Sequence, residues 1–241
     1  MKTTGILIPA FSPGRDGDLG IGDTLSLRNW IDWAARYKLG FLQLLPINEN
    51  GTDESPYSGI SSVAIDPIYL SFDPPEIPLL TTEDLDIARA SLGPALDAHL
   101  VDYPAVRAAK QNLLETSFAR FTATPSPGDS AGFKTFRQTH TGWLPDYCRF
   151  KLLIEIHGQH LTWDQWPEHS RTPKEALNFI ALLRKQNPNH IDSRLDFFAY
   201  VQWLCFRQWT ALRSYADDKE IKLMGDVSIG VAYHSADVFF N

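Results

Sequence analysis

Six side chains able to stack on or hydrogen-bond to a polar ligand fall in two loops: Asp53, Glu54 and Tyr57 in one, Asp226, His234 and Asp237 in the other. Carboxylates accept hydrogen bonds, imidazole both donates and accepts, and a phenol presents an apolar ring face with a polar tip. Ordinary roles are open to them as well. Tyr57 can be plain loop packing, and Asp226 a turn or cap residue at a strand end. A retaining glycosidase needs two carboxyl groups about 5–5.5 Å apart across the scissile bond. Asp226 and Asp237 are candidates for such a pair by location only.

Other patterns point away from other chemistries. Gly17-Asp18-Leu19-Gly20-Ile21-Gly22 superficially suggests a phosphate cradle, but it is neither Gly-x-Gly-x-x-Gly nor a Walker loop. His157 and His160 stand three apart on an expected helix with no carboxylate base or cysteine cluster beside them. Exposed helix histidines fit better than metal ligands. Trp143, Trp163 and Trp166 are either sugar-stacking platforms or core anchors, the second being the commoner role. A net charge of −7 leaves no basic stripe to neutralise phosphates, so no nucleic-acid partner is expected. Cys148 and Cys205 are too few and too far apart for a disulfide framework or zinc ribbon. Neither a signal peptide nor a membrane span fits the opening residues, so a cytoplasmic protein without membrane contact is expected.

The elements that must position the two loops follow from hydrophobic spacing. Residues 5–9 form a first strand closed by Pro9, followed by a Gly- and Asp-rich loop over 9–22. Asp23 or Thr24 caps a helix whose face is Leu27, Trp30, Ile31, Ala34 and Tyr37, and Gly40 supplies the left-handed residue at its end. Residues 41–47 are a second strand, parallel to the first across this βαβ unit. Residues 67–78 are Pro-rich and extended. Helices start at Thr81, at Asp102 (ending near Phe121), near Leu144 and at Thr172, the last with a capping box. Residues 122–132 are the most flexible segment and the hinge or proteolytic site. A long helix over 193–217 buries Phe198, Val201, Cys205, Trp209 and Leu212, and a third strand follows from Ile221 to the Gly225-Asp226 stop.

Three strands with helices between them make an α/β protein, the start of a doubly wound sheet or of a (β/α)8 barrel. A barrel would need roughly five more strands. The last residues, Phe239-Phe240-Asn241, show no helix to cover the third strand, so the expectation is the front part of a larger domain.

At its loops the sequence resembles the amylomaltases, the 4-α-glucanotransferases of glycoside hydrolase family 77. The matching pieces are Gly5-Ile6-Leu7-Ile8-Pro9, Gly20-Ile21-Gly22-Asp23, Leu42-Gln43-Leu44-Leu45-Pro46, Glu54-Ser55-Pro56-Tyr57, Gln202-Trp203 with Arg207-Gln208-Trp209, and Gly225-Asp226, Val231-Ala232 and Ser235-Ala236-Asp237-Val238. They occur in family order along nearly the whole chain. The resemblance implies the first three strands of a (β/α)8 TIM barrel, partial over residues 1–70 and 190–241, with a helical subdomain inserted over 71–189.

It further implies transfer of α-1,4-glucan segments to the 4-hydroxyl of glucose or a maltooligosaccharide. The route is double displacement through a covalent glycosyl-enzyme, without cofactor or metal. Tyr57 matches the tyrosine that stacks on the sugar at the cleaved bond, with Ser55, Pro56 and Ser58 beside it and Asp226 and His234 as further sugar contacts. The nucleophile aspartate, acid/base glutamate and stabilising aspartate lie beyond the third strand in this family, outside residues 1–241. The third-strand loop departs from the family pattern, with Ser228 where Pro is usual, His234 where Asp is usual and Phe239 where Trp is usual. An imidazole still hydrogen-bonds a hydroxyl. This chain alone is expected to be inactive as a transferase. A glucan-binding fragment without chemistry and a truncated product without function stand as the alternatives.

Overall fold

The computed structural model describes residues 4–51, 54–158, 160, 162–228 and 230–241. In chain order the elements are β1 (Gly5–Ile8), α1 (Thr24–Arg36), β2 (Phe41–Leu44), α2 (Thr82–Leu92), α3 (Tyr103–Ala123), α4 (Pro127–Thr139), α5 (Leu144–His157), α6 (Pro173–Gln186), α7 (Pro188–Asp218), β3 (Lys222–Gly225) and α8 (Ala236–Phe240). Helix starts follow cap chemistry. Asp23, Thr81, Asp102 and Thr172 each accept a first-turn amide through a side-chain oxygen. The full reciprocal capping box is at Thr81 and Asp84. At Thr172 the Glu175 carboxylate instead takes the threonine hydroxyl.

The chain forms two compact units, one of Met1–Ile47, Asp66–Ser126 and Leu204–Val227, the other of Asn48–Ile65, Pro127–Trp203 and Ser228–Asn241. The first contains a parallel sheet in the order β1-β2-β3. Ile8, Leu44 and Gly225 lie in register, so the three strands end side by side along one sheet edge. Helix α1 packs on β2 and buries Leu27, Ile31 and Ala34, while Tyr37 is exposed rather than part of the apolar face. The left-handed residue ending α1 is Lys38 (φ 58°) and not Gly40. Lys38 N–H donates to Ala35 O and Leu39 N–H to Ala34 O, the paired bonds that close a helix with a left-handed turn.

The glycine-rich loop after β1 is a packing device. A Cβ on Gly22 would stand 2.3 Å from Ala10 O, so only glycine fits there. The Arg15 guanidinium bridges Asp23, at 2.8 Å, and Asp73. Burial pushes the Asp23 carboxyl up, but the Arg15 hydrogen bond and nearby Lys110 outweigh it and hold Asp23 below its ordinary value. Gln208 on α7 accepts from Thr24 Oγ1 at 2.7 Å and from Ser71 N–H at 2.9 Å, and donates to Ser71 O at 2.8 Å.

The second unit packs α5 on α8 around a ring cluster in which Trp166 stands 5.5 Å from Phe150 and 5.6 Å from Phe239. Trp166 is wholly buried, a core anchor. His157 is half-buried against Trp166 and Phe179 at the end of α5 rather than exposed, and His160 lies past that helix. Three elements differ from the sequence expectation. Helix α4 starts inside the supposed hinge because Pro127 occupies a first-turn position whose N–H needs no partner. Helix α7 starts at Pro188 for the same reason, and the Asn187 side chain accepts from His190 N–H. The residues after β3 are not bare loop: Ser235 caps the short helix α8, whose Phe239 is buried.

One buried cation in the first unit makes the fold titratable. Lys110, 3% exposed, donates through Nζ to Ile68 O and, at 3.0 Å, to Leu70 O. Burial lowers its pKa from 10.5 to about 8, the nearby Asp23, Asp18 and Asp66 offsetting part of the effect. Lys110→Met strands both carbonyls and is expected to cost about 1–3 kcal/mol at neutral pH. In the parent, the folded amine loses its proton near pH 8 whereas the unfolded one keeps it to about 10.4. The unfolded chain therefore binds more protons in that window, and this lysine's contribution to stability rises with pH through it. The deficit of Lys110→Met, followed by urea unfolding at stepped pH, should widen from pH about 8 to about 10; a constant deficit would contradict the burial argument.

Candidate functional site

The connector leaving β2 carries the exposed Tyr57. Its two limbs run antiparallel through the isolated bridges Asn48 with Ile65 and Asn50 with Gly59. Glu49 N–H donates to Ala64 O at 2.9 Å and Ile60 N–H to Glu49 O at 2.7 Å. At the tip, Ser58 N–H donates to Ser55 O at 3.0 Å and Tyr57 N–H to Ser55 Oγ at 3.4 Å, a tight turn. Ser55, Pro56 and Ser58 are half-buried, while Tyr57 is 48% exposed. That exposure leaves about half of the side chain in contact with solvent. Glu54 is exposed, and Asp53 lies outside the described residues.

The residues after β3 behave differently from one another. Asp226 is half-buried at the strand end in the first unit, its N–H donating to Leu44 O at 3.0 Å. In the second unit, His234 is exposed and its Nε2 stands 3.5 Å from Asp164 Oδ1. Trp163, half-buried, donates its indole N–H to Tyr233 O at 3.0 Å and lies 4.9 Å from the exposed Tyr233 ring. Asp237 is already committed: Oδ2 accepts from Ser62 N–H and Oδ1 from Ser62 Oγ, both at 2.8 Å. Ala236 N–H adds a bond to Ile60 O at 2.8 Å. The structure thus joins residues 60–62 to 236–237, with Asp237 clamped onto Ser62.

Sequence reasoning missed the residues holding the base of the Tyr57 loop. Glu49, 4% exposed, accepts from Tyr147 Oη through one carboxylate oxygen and from Lys151 Nζ through the other at 2.6 Å. Gln202 Nε2 donates to Tyr147 Oη at 3.1 Å and to Ile65 O at 2.9 Å, while its Oε1 accepts from Ile65 N–H at 3.0 Å. No local spacing marks Glu49, Tyr147 or Lys151. Gln202 at least stood in one of the family-like pieces. Among the described residues no group of three or more His, Cys, Asp or Glu side chains is placed to hold a metal ion.

A family model described as 4-alpha-glucanotransferase, glycoside hydrolase family 77, matches residues 8–241. The 4-alpha-glucanotransferase of Chlamydia caviae is 32% identical over 100% of this chain and 43% of its own length. That of Synechocystis sp. is also 32% identical, over 100% of this chain and 45% of its own length. The chain therefore spans less than half the length of these curated relatives. The amylomaltase from Streptococcus agalactiae, solved in complex with acarbose, superposes with a TM-score of 0.82 at 24% identity, covering 99% of this chain and 46% of that one. The structural likeness shows a shared α/β fold with parallel strands. With the family match running through all but the first few residues, the chain belongs to glycoside hydrolase family 77, the 4-alpha-glucanotransferases.

Proposed function

We propose that this protein is a 4-α-glucanotransferase that moves α-1,4-glucan segments to the 4-hydroxyl of glucose or a maltooligosaccharide, and that residues 1–241 contribute part of its sugar-binding floor. The observation that carries this reading is Tyr57, an exposed ring on a clamped turn at the position where the family stacks an aromatic on sugar. In this reading Ser55, Pro56 and Ser58 shape the turn beneath the sugar, and His234, oriented by Asp164, hydrogen-bonds a hydroxyl. Asp226, in the other unit, is proposed as a sugar contact on the family resemblance alone. The three parallel strands would be the first of a (β/α)8 barrel, with residues 71–189 as its helical insertion. The free, buried thiols of Cys148 and Cys205 support a reducing, cytoplasmic setting.

Retaining transfer needs a carboxylate nucleophile and a carboxylic acid that alternates between protonating the leaving oxygen and activating the acceptor. None of residues 1–241 matches those family carboxylates, so the chemistry in this proposal belongs to residues outside them. The reading separates binding from turnover in two measurements. Calorimetric titration of the chain with maltoheptaose should detect binding, and Tyr57→Ala should weaken it by roughly tenfold, the scale of a lost stacking contact. Equal affinities would remove Tyr57 from the sugar site. Maltotriose incubated with the purified 241-residue chain should release no glucose; release above a heat-killed control would move the catalytic carboxylates into this chain.

A further inference from the structure

The buried polar cluster beneath the Tyr57 loop is the least expected feature of the second unit. A buried carboxylate is costly unless it is paired and its lone pairs are filled. At Glu49 both oxygens are used, one by the Tyr147 hydroxyl and one by the Lys151 ammonium, which stand four residues apart on the same face of α5. The Tyr147 hydroxyl is itself anchored by Gln202 of α7, whose amide also pairs with both backbone groups of Ile65. Glu49 and Ile65 sit on opposite limbs of the loop, next to the Asn48–Ile65 bridge. The two limbs are thus each gripped by a helix side chain, and the two grips meet at one oxygen atom.

An apolar base would bury the loop as well, but it would tolerate sliding, because dispersion contacts have no direction. Hydrogen bonds to both oxygens of Glu49 and to both backbone groups of Ile65 permit one register only. Farther along the loop, residues 60–62 bond to Ala236 and Asp237. Residues 54–58, with Tyr57 among them, project from a frame held on both limbs.

We propose that Glu49, Tyr147, Lys151 and Gln202 are positioning residues for sugar binding, fixing the register of residues 48–65 so that the Tyr57 ring is presented in one place. The sugar-affinity part of this inference rests on the proposed role of Tyr57; the positioning part does not. Tyr147 is the pivotal member, since its hydroxyl joins the Glu49 grip to the Gln202 grip. Tyr147→Phe removes that oxygen while keeping the ring that packs beside Trp143, their centroids 5.9 Å apart. Lys151→Met takes the charge from Glu49 at a half-buried position and serves where the first variant folds poorly.

The test reads position and binding separately on the 241-residue chain. Hydrogen exchange resolved by NMR should show the Glu49, Ile60 and Ile65 amides exchanging roughly tenfold faster in either variant, with α5 and α7 interior amides unchanged. Fluorotyrosine labelling should show the Tyr57 resonance, assigned by its loss in Tyr57→Phe, shifted or broadened. Maltoheptaose affinity should fall with it, and Glu49→Gln, which keeps an acceptor for the Tyr147 hydroxyl but loses the charge facing Lys151, should shift both less than Tyr147→Phe does. An unchanged Tyr57 resonance with unchanged loop exchange would overturn the positioning role. So would a uniform acceleration that includes α5 and α7, which marks a structural role alone. Altered Tyr57 signals with unaltered sugar affinity, or parent protein that ignores maltoheptaose, would instead count against Tyr57 as a sugar contact.

Discussion

The long connector between β2 and α2 must leave the sheet without a ladder of its own, and its buried backbone groups must still find partners. Two glutamines on α7 meet that demand. Gln202 closes on Ile65 and Gln208 on Ser71, each within its own unit, and each amide donates to the carbonyl and accepts from the N–H of one residue. A side-chain amide used this way imitates a neighbouring strand. Both glutamines are buried, at 0% and 2% exposure, so water cannot take over the task. The rest of the connector is then free to turn, and it does so where the candidate sugar-binding residues lie.

The energetics of such pairings explain why they set position more than stability. A satisfied hydrogen bond contributes about 1 kcal/mol net, because the unfolded chain pairs the same groups with water. A stranded partner costs about 1–3 kcal/mol, so displacements of the loop are penalised steeply although the native arrangement gains little. The apolar clusters carry the opposite assignment. Leu27, Ile31 and Ala34 in one unit, and Phe150, Trp166 and Phe239 in the other, remove large apolar areas from water without dictating a single register. Burial holds each unit together, and directional polar contacts decide where its loops lie.

The parts of the fold legible in the sequence are those governed by near neighbours. Asp23, Thr81, Asp102 and Thr172 announce helices because a cap acts three residues away. The parallel pairing follows from a helix between apolar runs, and the three strands fall within the stretches expected. Proline starts two helices earlier than expected: Pro127 opens α4 inside the segment expected to be flexible, and Pro188 opens α7 ahead of the expected start at Ser193. Gly40 looked like the left-handed residue, but the bonds to Ala34 and Ala35 place that conformation on Lys38. Within the candidate site, Tyr57 could be singled out by type and loop. For Asp237 nothing in the sequence signals its bonds to Ser62, because a carboxylate bonded within the fold and one aimed at a ligand look alike in sequence. Glu49 gave no signal, since its partners are set by tertiary packing alone.

The grip on the Tyr57 loop also fixes an order of events as the chain is made. Glu49 is separated by 98 residues from Tyr147 and by 102 from Lys151. Ile65 waits 137 residues for Gln202, and Ser62 waits 175 for Asp237. Residues 48–65 emerge from the ribosome early, yet none of these partners exists until about a hundred residues or more have followed. Local helices such as α2 close at once, whereas this loop must remain unsettled through the synthesis of α3, α4, α5 and α6. Its final geometry therefore waits on residues far along the sequence, and a pause or premature stop before Gln202 would release a chain with its early helices formed and that loop still unset.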